Sequence, residues 1–379
     1  CIGKHCDEGS LLCYNRSFRL EEGFSKGRVI LHIGAADQRA DVFLNGKPVG
    51  IHKGGYEAFS FDVTDVLQEE SYLQICCFDD LTDQSYPYGK QVLPEKRGGM
   101  WYTPVSGIWQ TVWMESVPET YIHKMVLDCQ ANRIQVIVWP ELDGTVTVPG
   151  VGEFPLEEGR GRVIVPNPHL WSPDDPYLYD MTVQVGQDRV ESYFAIRNFE
   201  AVRHNGVRRF YLNGKPFFLH GVLDQGYWPD GLFTPPSPEC YADDILAMKR
   251  LGFNTLRKHI KIEPEEFYYQ CDKLGMLVCQ DMVNNGSYSF LKDTLLPTFG
   301  FQEKDDVFLN DDPETRAMFK ATMLRAVNQV RSHPCIVYWT IFNEGWGQFD
   351  SAHFTDYLRG LDNTRIIDSV SGWHDQGVG

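Results

Sequence analysis

Between Phe217 and Val370, five apolar runs of strand length are separated by segments of helical period, and this alternation restricts the fold more than any other feature. The runs are Phe217–Val222, Phe253–Arg257, Met276–Asp281, Ile336–Phe342 and Arg365–Val370. Helical spacing fills Pro238–Leu251, Pro264–Leu274, Pro313–Val330 and Ala352–Leu361, with Gly252 ending the first and a longer loop before the third. Strand and helix in strict alternation imply a parallel α/β fold, either doubly wound or a barrel. No glycine-rich phosphate fingerprint follows the first run, which counts against a nucleotide-binding version.

The chain before residue 200 has a different grammar. From Arg16 to about Val117, short alternating runs such as Arg28–Ile33 and Ala40–Leu44 are separated by turn chemistry, with Asn45-Gly46 reading as a hairpin turn. No helical period interrupts them, so a β sandwich or jelly roll is expected. Residues 118–200 give a second, smaller β unit, with strands near Ile134–Val138, Val163–Val165, Tyr179–Val185 and Glu191–Ala195. A chain of 379 residues exceeds what one core normally organises. We therefore expect three domains, at 1–117, 118–200 and 201–379.

Composition removes several classes of function. At 42% hydrophobic and 23% charged, the chain can bury a core and is not a disordered protein. A net charge of -17 without a Lys/Arg-rich run argues against nucleic acid and anionic membranes as partners, whereas a neutral substrate tolerates that field. The apolar runs are too short for a transmembrane helix, and no signal peptide is visible. The ten cysteines include the close pair Cys1 and Cys6 but no CxxC or Cys/His cluster, so a zinc site is not expected. Cys76, Cys77, Cys279 and Cys335 lie inside apolar stretches, where a free thiol behaves as a small hydrophobe. Reduced cysteines and a cytoplasmic location are the expectation.

The chemistry concentrates at the ends of the five runs. Ile336–Phe342 leads directly into Asn343-Glu344-Gly345-Trp346, and Asp and Glu rarely sit fully buried, so the strand is expected to deliver Glu344 into a cleft. In a barrel that cleft is the C-terminal face. A carboxylate that merely caps the following loop is the alternative. His220 and Asp224 follow the first run, Arg257 and His259 the second, Asp281 the third, and Trp373, His374 and Asp375 the fifth. Five successive polar strand ends favour catalysis, although Arg257 and Asp281 could simply pair with each other and His220 could be a core histidine. The aromatic stretches Met100-Trp101-Tyr102 and Gly107–Trp113 could stack on sugar rings, but in a sandwich such residues are more often core.

Order of modules and motifs together resemble glycoside hydrolase family 2, the group of β-galactosidases, β-glucuronidases and β-mannosidases. Asp41–Lys47, Phe59–Thr64 and Ser106–Gln110 resemble its sugar-binding jelly roll. Leu170–Pro173 with Tyr177–Tyr179 resembles its immunoglobulin-like domain, and Phe210–Pro216 its entry into a (β/α)8 TIM barrel. The strongest match is His333-Pro334 followed by Asn343-Glu344. The resemblance implies a retaining exo-β-glycosidase in which Glu344 is the general acid/base and Asn343 holds the sugar 2-hydroxyl. Arg257, Asp224, Trp346, Trp373, His374 and Asp375 are then expected to contact substrate, the two indoles by stacking. After the second strand this chain has Arg257-Lys258-His259-Ile260-Lys261, of which only the arginine matches the family pattern. Asp281 stands where a relative may place Glu, which leaves a Mg2+ or Na+ ion beside the acid/base open, while no other cofactor is implied. The family nucleophile is a second Glu on the seventh barrel strand, so it is expected beyond residue 379. The chain reads as cut at both ends and inactive alone. A carbohydrate is the expected partner, a homo-oligomer is left open, and a non-catalytic carbohydrate-binding protein on the same scaffold is the alternative.

Overall fold

A computed structural model describes residues 10–92, 98–130, 132–301 and 305–379, so Cys1 and Cys6 lie outside the described residues. The N-terminal module is two antiparallel sheets packed face to face. One runs in the order Ser10–Phe18, Ser71–Asp79, Arg39–Leu44, Lys47–Lys53, and the other Phe59–Asp62, Arg28–Ile33, Val112–Val117. Period-two burial puts Ala40, Val42 and Leu44 inward against Val29, Leu31 and Ile33. The Asn45-Gly46 hairpin is as read, with φ of 53° and 75°, values that a two-residue turn between right-twisted strands demands.

The expectation of uniformly reduced cysteines is corrected here. Cys13 and Cys76 face each other across adjacent antiparallel strands and form a disulfide, while Cys77, Cys279 and Cys335 are buried free thiols. The pairing depends on strand register, which spacing in the sequence does not reveal.

The second module is a seven-stranded antiparallel sheet that folds over its own core, bringing Ile134, Val136 and Val138 against Met181, Val183 and Val185. Sequence patterning missed its strands Lys124–Gln130, Gly144–Val148 and Gly152–Glu157, which mix polar and small residues. A hairpin, Phe199–His204 with Val207–Leu212, leads into the α/β unit.

That unit is a parallel sheet of five strands in sequential order: Gly221–Asp224, Thr255–Lys258, Leu277–Asp281, Ile336–Asn343 and Ile366–Ser371. Helices Glu239–Arg250, Glu265–Leu274, Pro313–Val330 and Ser351–Leu361 connect them. Boundaries follow local chemistry. Asp312 accepts from Thr315 N at 2.7 Å to start the third helix with Pro313 as its first residue, and Gly275, at φ 75°, ends the second. The first strand begins later than read. Asn254 binds Phe218 O and His220 N through its side chain, at 3.0 and 2.9 Å, and takes the groups that strand pairing would use. His220 therefore sits at the N-terminal end of its strand with Nδ1 against Gly252 O, away from the C-terminal face of the sheet, which corrects its expected place. Among the described residues no helix is long and apolar enough to cross a membrane.

Candidate active site

The C-terminal strand ends converge on a charged cluster. Arg257, from the second strand, sets Nε 3.1 and 3.0 Å from the two oxygens of Asp281 on the third. Its other arm reaches Asn343 Oδ1 on the fourth, at 3.0 Å. His259 Nδ1 lies 2.7 Å from Asp281, so that buried carboxylate is shared between two neighbours. The result fixes Asn343: with Oδ1 taken by Arg257, its amide NH2 is left to face the cleft.

Glu344 is the next residue and behaves differently. It is exposed, and its backbone adopts φ 53°, a conformation costly for a side chain with Cβ and characteristic of functional positions. Its N–H donates to Ser371 O at 3.0 Å, tying the fourth strand end to the fifth. Glycines on its C-terminal side complete the turn. A Cβ at Gly345 would meet the His374 ring at 2.7 Å, and one at Gly347 would meet Asn285 O at 2.3 Å. Chain direction thus turns sharply and leaves the carboxylate projecting. A cavity of about 660 Å³, lined by Ser287, Lys292, Asp293, Gln348 and His374, opens beside it.

Other expected site residues are placed elsewhere or differently. Asp224 is half-buried and engaged by Lys258 Nζ at 2.7 Å, beside the buried Glu263 and Lys261, so one of its oxygens is held in an ion pair. Trp346 is only 2% exposed, packed by Tyr88, Trp101 and Tyr288 with centroids at 5.5, 5.3 and 6.0 Å. It builds the cleft wall and has no free face for a sugar, which corrects the stacking expectation for that residue. Trp373 is half-buried, His374 is buried beside Gly345, and Asp375 is exposed and accepts from Gly377 N. A Mg2+ or Na+ ion does not fit Asp281, both of whose oxygens are already occupied by Arg257 and His259. Among the described residues no group of three or more His, Cys, Asp or Glu could hold a metal.

Two charged residues of the site escaped sequence reading. Lys90, from the N-terminal module, is buried, and desolvation lowers its pKa against the opposing pull of Glu344 and Asp281. Asp368 interrupts the apolar fifth strand, an available signal. Burial raises its carboxyl to about 6, with Arg257 opposing and Asp281 and Asp375 reinforcing. A carboxyl near 6 when folded but near 3.8 when unfolded takes up protons on folding between those pH values, so its contribution falls as pH rises through that window and stays unfavourable above it. Asp368→Asn should therefore raise the melting temperature relative to wild type at pH 8 and give no gain at pH 3.5. Equal shifts at both pH values would contradict this.

A parallel barrel wall with an Asn-Glu pair projecting from its fourth strand end, entered through two β sandwiches, defines a multidomain TIM-barrel protein. Residues 202–378 match the TIM barrel domain of glycosyl hydrolases family 2, and residues 135–197 match a further model of glycosyl hydrolases family 2. The chain belongs to that family. It is 24% identical over 366 residues to a β-galactosidase of Thermoanaerobacter pseudethanolicus, covering 89% of this chain and 45% of the relative. It is 26% identical over 363 residues to the β-glucuronidase of Felis catus, covering 84% and 51%. The chain thus spans about half the length of these relatives. Its fold is similar to a β-glucuronidase of an uncultured Clostridium sp., with TM-score 0.77, 23% identity, and coverage of 96% of this chain and 63% of that one. A family-2 β-galacturonidase from Eisenbergiella tayi bound to galacturonate gives TM-score 0.71 at 20% identity, covering 95% and 64%.

Proposed function

We propose that the protein is a retaining exo-β-glycosidase that removes terminal sugars by a double displacement between two carboxylates. Glu344 carries the reading: it is an exposed carboxylate on a left-handed turn at the fourth strand end, next to an Asn343 whose orientation Arg257 fixes. In this mechanism Glu344 protonates the leaving glycosidic oxygen and then, as carboxylate, takes a proton from the water that opens the glycosyl-enzyme. Asn343 donates its amide hydrogens to the sugar 2-hydroxyl, and Asp281 and Arg257 hold it there. Residues 1–117 are read as a jelly roll, 118–200 as an immunoglobulin-like sandwich, and 201–379 as barrel; the nucleophile is not assigned to any of them. Similarity to β-galactosidases and β-glucuronidases supports the reaction class.

The test uses the full-length protein with a panel of nitrophenyl β-glycosides and the matching 2-fluoro glycosides. One glycoside should be hydrolysed, and its 2-fluoro counterpart should add one glycosyl mass to the intact protein. Hydrolysis of none would end the proposal, and hydrolysis with inversion and no adduct would end its mechanism.

A further inference from the structure

The loop that ends at Lys90 is fixed to the barrel by more hydrogen bonds than a sandwich loop needs for itself. Tyr88 N and Gly89 N both donate to Asn284 O, at 3.1 and 3.2 Å, and Gly286 N donates back to Gln84 O at 2.7 Å. Tyr88 Oη reaches Gly286 O at 2.7 Å, and Asn285 Nδ2 reaches Ser85 O at 2.7 Å. Gly89 has φ 58°, and a Cβ there would meet Ile260 O at 2.8 Å, so only glycine brings the loop this close. The next residue is consequently held in one position. Lys90 is 7% exposed, its Nζ lies 6.0 Å from the Trp101 ring centroid, and Trp101 packs on Trp346, two residues beyond Glu344.

The Lys90 ammonium has no carboxylate within 4.0 Å and no hydrogen-bond acceptor among the described residues, which sets it apart from Arg257, Lys258 and Lys261, and it is buried where Lys292 of the cavity wall is exposed. Arg257 is committed to Asp281 and Asn343, and Lys258 and Lys261 to Asp224, Glu263 and backbone carbonyls. A nearly buried ammonium without acceptors is costly unless something else supplies them. The fixed charges around it, Glu344 and Asp281, are negative, as is the chain as a whole at -17. An acidic sugar approaching this cleft is repelled unless one cation receives it.

Building on the glycosidase reading, we propose that Lys90 is a specificity-determining residue that receives a sugar carboxylate at the Glu344 cleft, making the substrate a uronate-containing glycoside. A carboxylate puts a full opposite charge on the acceptor of the ammonium, whereas a neutral hydroxyl does not, so the discrimination falls on the acid group. The carboxylate can belong to the glycone or to the sugar on the leaving side, and the two are separable by substrate.

The experiment measures kcat/KM of the full-length wild type, Lys90→Met, Lys90→Gln and Lys90→Arg. The substrates are nitrophenyl β-glucuronide and β-galacturonide, the matching glucoside and galactoside, and a neutral glycoside of glucuronic acid. Loss of a charge-assisted contact is expected to lower kcat/KM on the acidic substrates by on the order of 100-fold, chiefly through KM. Neutral substrates should change by about twofold or less, and Lys90→Arg should recover part of the loss. A loss confined to the nitrophenyl uronides assigns the glycone, and one confined to the glucuronic acid glycoside assigns the leaving side. Equal losses on acidic and neutral substrates, or no loss on either, overturn the proposal. Lys90→Gln keeps a polar head, so it answers the question if the Met variant does not fold. Calorimetric titration with free glucuronate and glucose gives a readout independent of turnover. If no glycoside is hydrolysed the glycosidase reading fails, yet glucuronate binding that is lost in Lys90→Met still supports the Lys90 site, and absent or unchanged binding overturns it.

Discussion

Glu344→Gln in the full-length protein should lower kcat/KM on glycosides with poor leaving groups by on the order of 1000-fold, and on dinitrophenyl glycosides by far less. In the proposed mechanism the ratio kcat/KM reports the steps up to formation of the glycosyl-enzyme, where Glu344 would act as acid. An alkoxide leaving group needs that proton, whereas a dinitrophenolate leaves without it. Gln keeps the side-chain length, the N–H bond to Ser371 O and the left-handed turn, so folding should be unaffected. Asn343→Ala should behave differently, lowering kcat/KM on both substrate types by about tenfold or more, because a 2-hydroxyl contact that tightens in the transition state serves every leaving group. Equal losses on good and poor leaving groups in Glu344→Gln would remove the acid assignment.

The parts of this site that were legible in the sequence are those that backbone periodicity positions. Helix Pro313–Val330 has both bounds as read, because Asp312 and Pro313 are local start signals and the apolar period runs unbroken to Val330. Arg257, Asn343 and Glu344 were readable as strand ends, since each strand's direction follows from the alternation with helices. Trp346 was misread because an indole beside a strand-end carboxylate looks the same in sequence whether it faces a sugar or is enclosed by Tyr88 and Trp101 from a distant module. The ion pair of Asp224 was not legible for a related reason. Its partner Lys258 is the residue directly opposite in parallel register, and register is a tertiary fact. Lys90 had no signal at all, because its position depends on Asn284 and Gly286 meeting its loop, and a lone lysine among turn-formers carries no period.

Asp272→Ala should cost on the order of 4 kcal/mol of stability, the largest loss expected from a single side chain outside the cleft. The Asp272 carboxylate is fully buried at the junction of the middle sandwich and the barrel. It accepts from Tyr193 Oη of the sandwich at 2.8 Å and from Cys335 N at 2.7 Å, and it lies 2.7 Å from His333 Nδ1. Removing it leaves these three polar groups without their shared acceptor and separates the two modules at the point where the fourth strand begins. This gives His333-Pro334 a physical role: it anchors the base of the strand whose far end carries Asn343 and Glu344. Asp272→Asn, which retains one acceptor oxygen, should lose about half as much. Urea unfolding followed by tryptophan fluorescence reads both variants, since Trp171 Nε1 donates to Asp272 O at 2.7 Å and reports on the same junction. If Asp272→Ala lost less than about 1 kcal/mol, the junction would be held by other contacts, with Arg331 on Asp128 and Arg197 on the carbonyls of Pro334 and Ile336 the first to examine.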